Sequence, residues 1–242
     1  MRILIISDVH ANLPALESVL AAAAPFDSVW CLGDLVDYGP DPNECVERIR
    51  DLPCLTCITG NHEAAVLNLL AVESFNGDAR KSAVWTANAL TEMNKQFLLN
   101  LPETAVVDNV TLVHGSPRFP VWEYILDTQT AAENYHYFET ANCFVGHSHV
   151  PLIFYRNGKE PGVDWLVLKD QGVLHLEGKS ILNPGSVGQP RDGDPRASFA
   201  VYEPETSTWQ QYRVEYDIRA VQSRIRDAGL PHNHANRLSS GS

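Results

Sequence analysis

His147 and His149, with only Ser148 between them, follow an apolar run at 143–145 that ends in Gly146. Two imidazoles spaced this way at the mouth of a strand either bind a metal or form surface hydrogen bonds. The same placement recurs along the chain. Asp8 and His10 follow the apolar run 3–7, Asp34 follows 28–32, Asn61 and His62 follow 55–59, and His114 follows 111–113. Each motif alone has a bland reading: Gly60-Asn61-His62 suits an Asx-turn at a glycine, and Gly33 to Gly39 suits a loop between two glycines. The coincidence carries more weight. Five of the nine histidines lie at strand exits, while His136, His175, His232 and His234 do not. The first two of these read as structural and the last two as solvated. Ligands of open α/β sheets collect at the carboxyl ends of strands, so five strand ends aim Asp, His and Asn at one crevice.

The segments between these runs must hold them in place. Residues 12–24 predict a helix capped by Asn12 with Pro14 in its first turn, and residues 41–52 one with Asp41 as N-cap, Pro42 at N1 and Glu44 at N3 in a capping box. Buried strands alternating with helices predict a largely parallel sheet covered on both faces. Over 78–100, Val84, Ala87, Leu90, Met93 or Asn94, and Phe97 recur at helical spacing and predict one long amphipathic helix with its stripe in the core. Beyond residue 150, short apolar runs separated by turn residues predict an antiparallel half sheet. Residues 218–229 predict a helix and 231–242 a polar tail with little to bury, leaving one domain over 1–230.

A chain of 242 residues buries about three quarters of the surface its unfolded form exposes. Its hydrophobic content of 44% and charged content of 20% are those of a water-soluble globular protein. No apolar stretch is long enough to span a membrane and the N-terminus lacks signal-peptide features, which predicts a cytoplasmic protein. Five cysteines, an odd number scattered through apolar segments, predict buried free thiols, and the Cys54/Cys57 pair has no second pair with which to hold zinc. A net charge of −12 excludes a stable nucleic-acid partner. A phosphorylated small molecule would need local positive charge, which metal ions could supply.

In chain order, Asp8-Val-His10, Gly33-Asp34-Leu-Val-Asp37-Tyr-Gly39, Gly60-Asn61-His62-Glu63, His114-Gly115 and Gly146-His147-Ser-His149 resemble the five motif blocks of the calcineurin-like metallophosphoesterases. The resemblance spans residues 1 to about 190, and the stretch from Asn183 to Arg191 is similar to the small prokaryotic phosphodiesterase branch. It implies an α/β fold, a four-layer α/β/β/α sandwich of two mixed sheets flanked by helices. It also implies one metal ion held by Asp8, His10, Asp34 and His149 and a second held by Asp34, Asn61, His114 and His147, with Asp34 bridging. Donors of N and O without thiolate favour Mn, Fe, Zn or Co over Ca or Mg. The implied reaction is attack on phosphorus by a hydroxide between the two ions, with His62, oriented by Asp37, as the acid for the leaving oxygen.

Protein phosphatases of this superfamily carry arginine where this chain has Tyr38, so a phosphate clamp is missing from its usual place. Arg118 and Arg191 are candidate substitutes, or else rim salt-bridge residues. Phe119, Trp122 and Tyr124 could stack a leaving-group ring, or pack in the core. The resemblance therefore implies a metal-dependent phosphoesterase acting on a small phosphate ester, most simply a phosphodiesterase of nucleotide or dinucleoside-polyphosphate type. A phosphomonoesterase and a non-catalytic protein-interaction scaffold like the small retromer subunit are the alternatives. A scaffold has no need of a complete ligand set plus His62 and Asp37.

Overall fold

The structure, a computed structural model, describes residues 1–69, 76–156, 158 and 162–242. Strands β1 (Ile3–Ile6), β2 (Ser28–Cys31) and β3 (Leu55–Cys57) run parallel and are linked by helices α1 (Leu13–Ala23) and α2 (Pro42–Arg50). The first sheet is completed by β11 (Ala197–Glu203), antiparallel to β1, and then β12 (Thr208–Val214) and β9 (Val173–His175), in the order β3-β2-β1-β11-β12-β9. The second sheet has the order β4-β5-β6-β10-β7-β8. It comprises β4 (Thr104–Val107), β5 (Val110–Val113), β6 (Asn142–Phe144), β10 (Ser180–Leu182), β7 (Ile153–Arg156) and β8 (Val163–Leu166). Within it β5, β6 and β10 are parallel and the outer pairs antiparallel, so both sheets are mixed.

Alternation along β1 shows how the layers form. Ile3 and Ile5 face the second sheet and pack with Trp30, Leu112, Phe144 and Trp209, while Leu4 and Ile6 face the helices with Leu16, Val19, Val46 and Ile49. A strand buried on both faces reads as a continuous apolar run, which is why β1 is uniformly hydrophobic. The outer face of the second sheet is covered by α6 (Thr128–Asn134) together with Tyr135 and Phe138. The result is the four-layer α/β/β/α sandwich. The ligand-bearing runs are shared between its sheets, β1, β2 and β3 in one and β5 and β6 in the other. The crevice thus lies along the carboxyl ends of strands from both sheets, as the expected sandwich of two mixed sheets allows.

Local expectations are met in part. Asn12 caps α1, its side chain accepting from Ala15 N at 3.2 Å. Asp41 stands at the N-cap of α2 but makes no side-chain cap, since its buried carboxylate is taken by Arg224. The long helix over 78–100 is two, α4 (Gly77–Ala89) and α5 (Glu92–Leu99). Leu90 is extended, and Thr91 caps α5 by accepting from Asn94 N at 3.3 Å. Asn43 of α2 causes the break, because its side-chain oxygen receives Thr91 N and the Asn94 amide, both at 2.9 Å. Val84 and Met93 consequently face solvent at 51% and 62% exposure, so the expected core stripe is not continuous. All five cysteines are free, but Cys54 is exposed rather than packed. His136 and His175 are exposed.

The expected polar tail is folded. After α7 (Ile218–Asp227), α8 (His232–Arg237) buries His234 and Ala235, and Leu230 and Leu238 join Val221 and Ile225 in a small apolar cluster. Leu230 and Leu238 bracket the short α8 on either side, and the polar residues between them hide from the sequence that this segment has a face to bury. His234 is therefore only 3% exposed instead of solvated. Replacing Leu238 by Ala should cost about 2–3 kcal/mol in urea unfolding, whereas a solvated tail would give less than about 0.5 kcal/mol.

Candidate metal centre and active site

The ligand-bearing loops hold unusual backbone. Asp8, His10, Asp34, Asp37, Tyr38, His147 and His149 all have positive φ, between 46° and 73°. Left-handed conformations in non-glycine residues persist only where surrounding contacts enforce them, and they cluster at functional sites. Here the contacts are cross-loop hydrogen bonds. Asp8 N donates to Gly33 O at 3.0 Å, His10 N to Asp34 O at 2.9 Å, and Gly188 N to Asp8 O at 2.9 Å. Glu63, fully buried, receives Gly60 N and Asp34 N on one oxygen at 2.8 Å each and Leu35 N on the other at 2.7 Å. That carboxylate clamps the loop after β2 to the start of α3 (Asn61–Val66).

Tautomers follow from the backbone partners. Nδ1 of His10 lies 3.2 Å from Val36 O, and Nδ1 of His149 lies 2.6 Å from Gln189 O. A carbonyl oxygen only accepts, so both Nδ1 atoms carry the proton and both Nε2 atoms present lone pairs. Those two Nε2 atoms face each other at 3.2 Å. Burial holds both imidazoles neutral, far below the usual histidine range, so no proton relieves the contact. The carboxylates are arranged alike. Asp8 gives Oδ2 to His147 N at 3.1 Å and Asp34 gives Oδ1 to His62 N at 3.0 Å. Their other oxygens, Asp8 Oδ1 and Asp34 Oδ2, are buried without a hydrogen-bond partner among the described residues. Asp8 Oδ1 lies 3.2 Å from His149 Nε2, and Asp34 Oδ2 lies 3.7 Å from His10 Nε2 and 3.2 Å from His114 Nε2.

A second group meets at Asp34. His114 Nδ1 donates to Leu32 O at 2.7 Å, turning Nε2 toward Asn61 Oδ1 at 3.1 Å. His147 Nε2 donates to Trp122 O at 3.1 Å, leaving Nδ1 with the lone pair. Without a cation, His114 keeps a proton: burial disfavours it, but the charge of Asp34 outweighs burial and lifts the pKa to about 10. Burial and the charge of His114 push His147 down to about 3. Burial, assisted by the charge of Asp34, raises Asp8 to about 7. Ligand atoms of Asp8, His10, Asp34 and His149, and again of Asp34, His114 and His147, lie within 4.8 Å of one another. The facing Nε2 lone pairs of His10 and His149, set beside two buried carboxylates, are satisfied by a divalent cation, so these residues fit metal binding. Ser148 turns away, its hydroxyl accepting from Asn183 Nδ2 at 3.0 Å.

His62 stands apart from both groups. Its Nδ1 donates to Asp37 Oδ2 at 2.6 Å, and its Nε2 lies 4.0 Å from Asp34 Oδ2. Burial lowers its pKa, but the charges of Asp34 and Asp37 prevail and raise it above the ordinary value. The Tyr38 ring packs between His10 and His62, with centroids 4.6 and 4.5 Å away. Arg118 is bound by Glu123 and Glu133 on the loop side, so its charge is already neutralised. Arg191 lies over Tyr38, with its guanidinium carbon 6.0 Å from the ring centre. Among the aromatics, Phe119, Trp122 and Tyr124 are exposed, and Tyr124 stacks on His147 at 3.8 Å. The motif pattern assigns no role to Glu63 or Asn183. Glu63 lies inside a quoted motif, and its place three residues after Gly60 is the signal that could have found it.

The fold and these two converging ligand groups define a class, the metal-dependent hydrolases of phosphoric ester bonds. The chain belongs to the calcineurin-like phosphoesterase superfamily, whose domain profile matches residues 1–207. It is similar to an uncharacterised protein of Methanocaldococcus jannaschii, 36% identical over 98% of this chain and 96% of that one. It is also similar to the crystal structure of a metallophosphoesterase from Sphaerobacter thermophilus, 48% identical with a TM-score of 0.92 over 100% of this chain and 99% of that one. A more distant relative is phosphodiesterase YfcE of Escherichia coli, 29% identical over 51% of this chain and 72% of that protein. Among the described residues, no helix is long and apolar enough to cross a membrane.

Gly60 tests the dependence of the centre on its backbone. A Cβ there would lie 2.1 Å from Asp34 Oδ1. Gly60→Ala should therefore displace the shared carboxylate and lower metal content measured by elemental analysis, although no ligand is altered. Full metal content in a folded Gly60→Ala protein would show that Asp34 is not held by this contact.

Proposed function

We propose that the protein is a phosphoesterase with a dinuclear metal centre, acting on a small phosphate ester and most simply a phosphodiester. One ion would be held by Asp8, His10, Asp34 and His149 and the other by Asp34, Asn61, His114 and His147, with Asp34 shared. The observation that carries this reading is the 3.2 Å contact between two neutral Nε2 atoms beside buried, unpartnered carboxylate oxygens. Mn, Fe, Zn or Co suits the donors. When bound, such ions supply positive charge for the phosphate and a water activated near neutral pH.

The chain's own groups do the rest. His62 keeps Nδ1–H on Asp37, so the proton available for transfer sits at Nε2. Its raised pKa keeps that proton near neutral pH, and burial of both partners keeps bulk water from competing for it. An interaction scaffold has no use for a buried His–Asp pair beside a set of ligands, and this favours the enzyme. The phosphorylated substrate would enter over Tyr38 and Tyr124, which flank the two ligand groups.

Protein refilled with Mn or Zn should hold two ions per chain by elemental analysis. Asp34→Asn should weaken both sites and abolish hydrolysis of bis(p-nitrophenyl) phosphate, because one shared charge is lost and two cations then repel. Loss of a single ion with activity retained contradicts the shared ligand. His62→Ala should leave metal content intact and lower kcat by about 10²–10⁴ on an alkyl ester, with a far smaller loss on a nitrophenyl ester whose leaving group needs no proton.

The pH profile gives an independent check. The acid works while His62 is protonated, so kcat on the alkyl ester should fall as pH rises through its raised pKa. Asp37→Asn removes a charge that raises that pKa, so the falling limb should move to lower pH. A limb that stays in place excludes Asp37 as the group that orients and charges His62.

A further inference from the structure

Two arginines converge on one acceptor beside the metal centre. Arg191 Nη2 donates to Gln189 Oε1 at 3.0 Å, and Arg237 Nη1, from α8, donates to the same oxygen at 3.1 Å. Gln189 is buried, and its backbone carbonyl is the acceptor that orients His149. Arg191 N in turn donates to His149 O at 3.3 Å. One residue thus ties a pair of guanidinium groups to a metal-ligand imidazole.

Neither member of the pair has a carboxylate in direct contact among the described residues. Arg118, Arg196, Arg213 and Arg224 each contact a carboxylate. Neither Arg191 nor Arg237 makes an ion pair among the described residues, and Arg191 Nε is buried without any hydrogen-bond partner. Burial and the neighbouring charge of Arg191 both work against the charged form of Arg237. Adjacent like charges without a carboxylate are destabilising on their own. In a chain of net charge −12, their retention points to an anion that arrives from outside. Arg191 lies over Tyr38, which packs on His10 and His62, and its charge also acts on Tyr124, which stacks on His147. The pair therefore borders the crevice next to both ligand groups.

We propose that Arg191 and Arg237 form a second anion subsite that holds a phosphoryl group adjacent to the scissile one, selecting substrates with two neighbouring phosphoryl groups. This rests on the phosphoesterase reading of the metal centre. Two planar forks with spare N–H donors suit a tetrahedral phosphoryl group, which offers several acceptor oxygens.

Calorimetric binding of methylenediphosphonate and methylphosphonate to the metal-loaded protein tests the subsite, since neither ligand is hydrolysed. The wild type should favour the diphosphonate by about tenfold or more, the scale of one hydrogen bond between charged groups. Arg191→Gln and Arg237→Gln should each bring that ratio close to one, and Arg237→Lys, which keeps the charge, should retain part of it. An absent preference in the wild type, or an unchanged ratio in both glutamine variants, overturns the subsite. So does an Arg237→Lys ratio as low as that of Arg237→Gln, which would make the arginine only a strut for Gln189. Hydrolysis of bis(p-nitrophenyl) phosphate by the same wild-type preparation separates the two ideas. If it is absent, the phosphoesterase reading fails whatever the ratio, and if it is present without a diphosphonate preference, only the arginine pair fails.

Discussion

Two buried imidazole lone pairs that face each other among buried carboxylates are the constraint on which this site is organised. The proton on each Nδ1 of His10 and His149 is committed to a backbone carbonyl, so their Nε2 lone pairs meet at 3.2 Å. Asp8 and Asp34 each accept a backbone N–H on one oxygen and turn the other toward an imidazole, His149 and His114 respectively. Such an arrangement is costly in a protein interior unless a cation completes it. The expense is borne by the surrounding sandwich, whose large apolar core supplies the stability that the ligand loops give up.

Rigid backbone makes the arrangement possible. Seven residues of the crevice hold left-handed conformations, and loop-to-loop hydrogen bonds enforce them. Glu63 is central, because one buried carboxylate receives N–H groups from the loop after β2 and from Gly60. Burial raises its pKa and the backbone donors oppose that rise. The absence of a side chain at Gly60 matters equally, since it lets Asp34 approach the start of α3. Candidate ligands from the strand ends of two sheets thus meet in one place.

The C-terminal segment closes the same crevice from the far side. His234 on α8 packs against Tyr38 at 4.5 Å, and Arg237 reaches Gln189, whose carbonyl orients His149. Packing of α7 and α8 through Val221, Ile225, Leu230 and Leu238 is therefore connected to the geometry of the site and is not confined to the periphery.

The strand exits and the residue types placed on them are legible in the sequence, because a uniformly apolar run followed by Asp, His or Asn is a local pattern. The same holds for the Asn12 cap and the alternating helices, which depend on neighbours a few residues apart. Which sheet each run joins is settled by tertiary pairing, since β10 takes its place beside β6 and β11 beside β1, partners far apart in the chain. The break at Leu90 was also out of reach, as it depends on Asn43 across a helix contact. Asp41 shows the same limit, because Arg224, 183 residues away, takes the carboxylate that the capping pattern assigned to α2. Folding of α8 was hidden for a related reason: Leu230, Ala235 and Leu238 become an apolar cluster only when Val221 and Ile225 of α7 are present to cover them. Contacts between residues close in the chain can be read from spacing, while those that fix tautomers, orphan carboxylates and bring Arg237 to Gln189 exist only once the layers have packed.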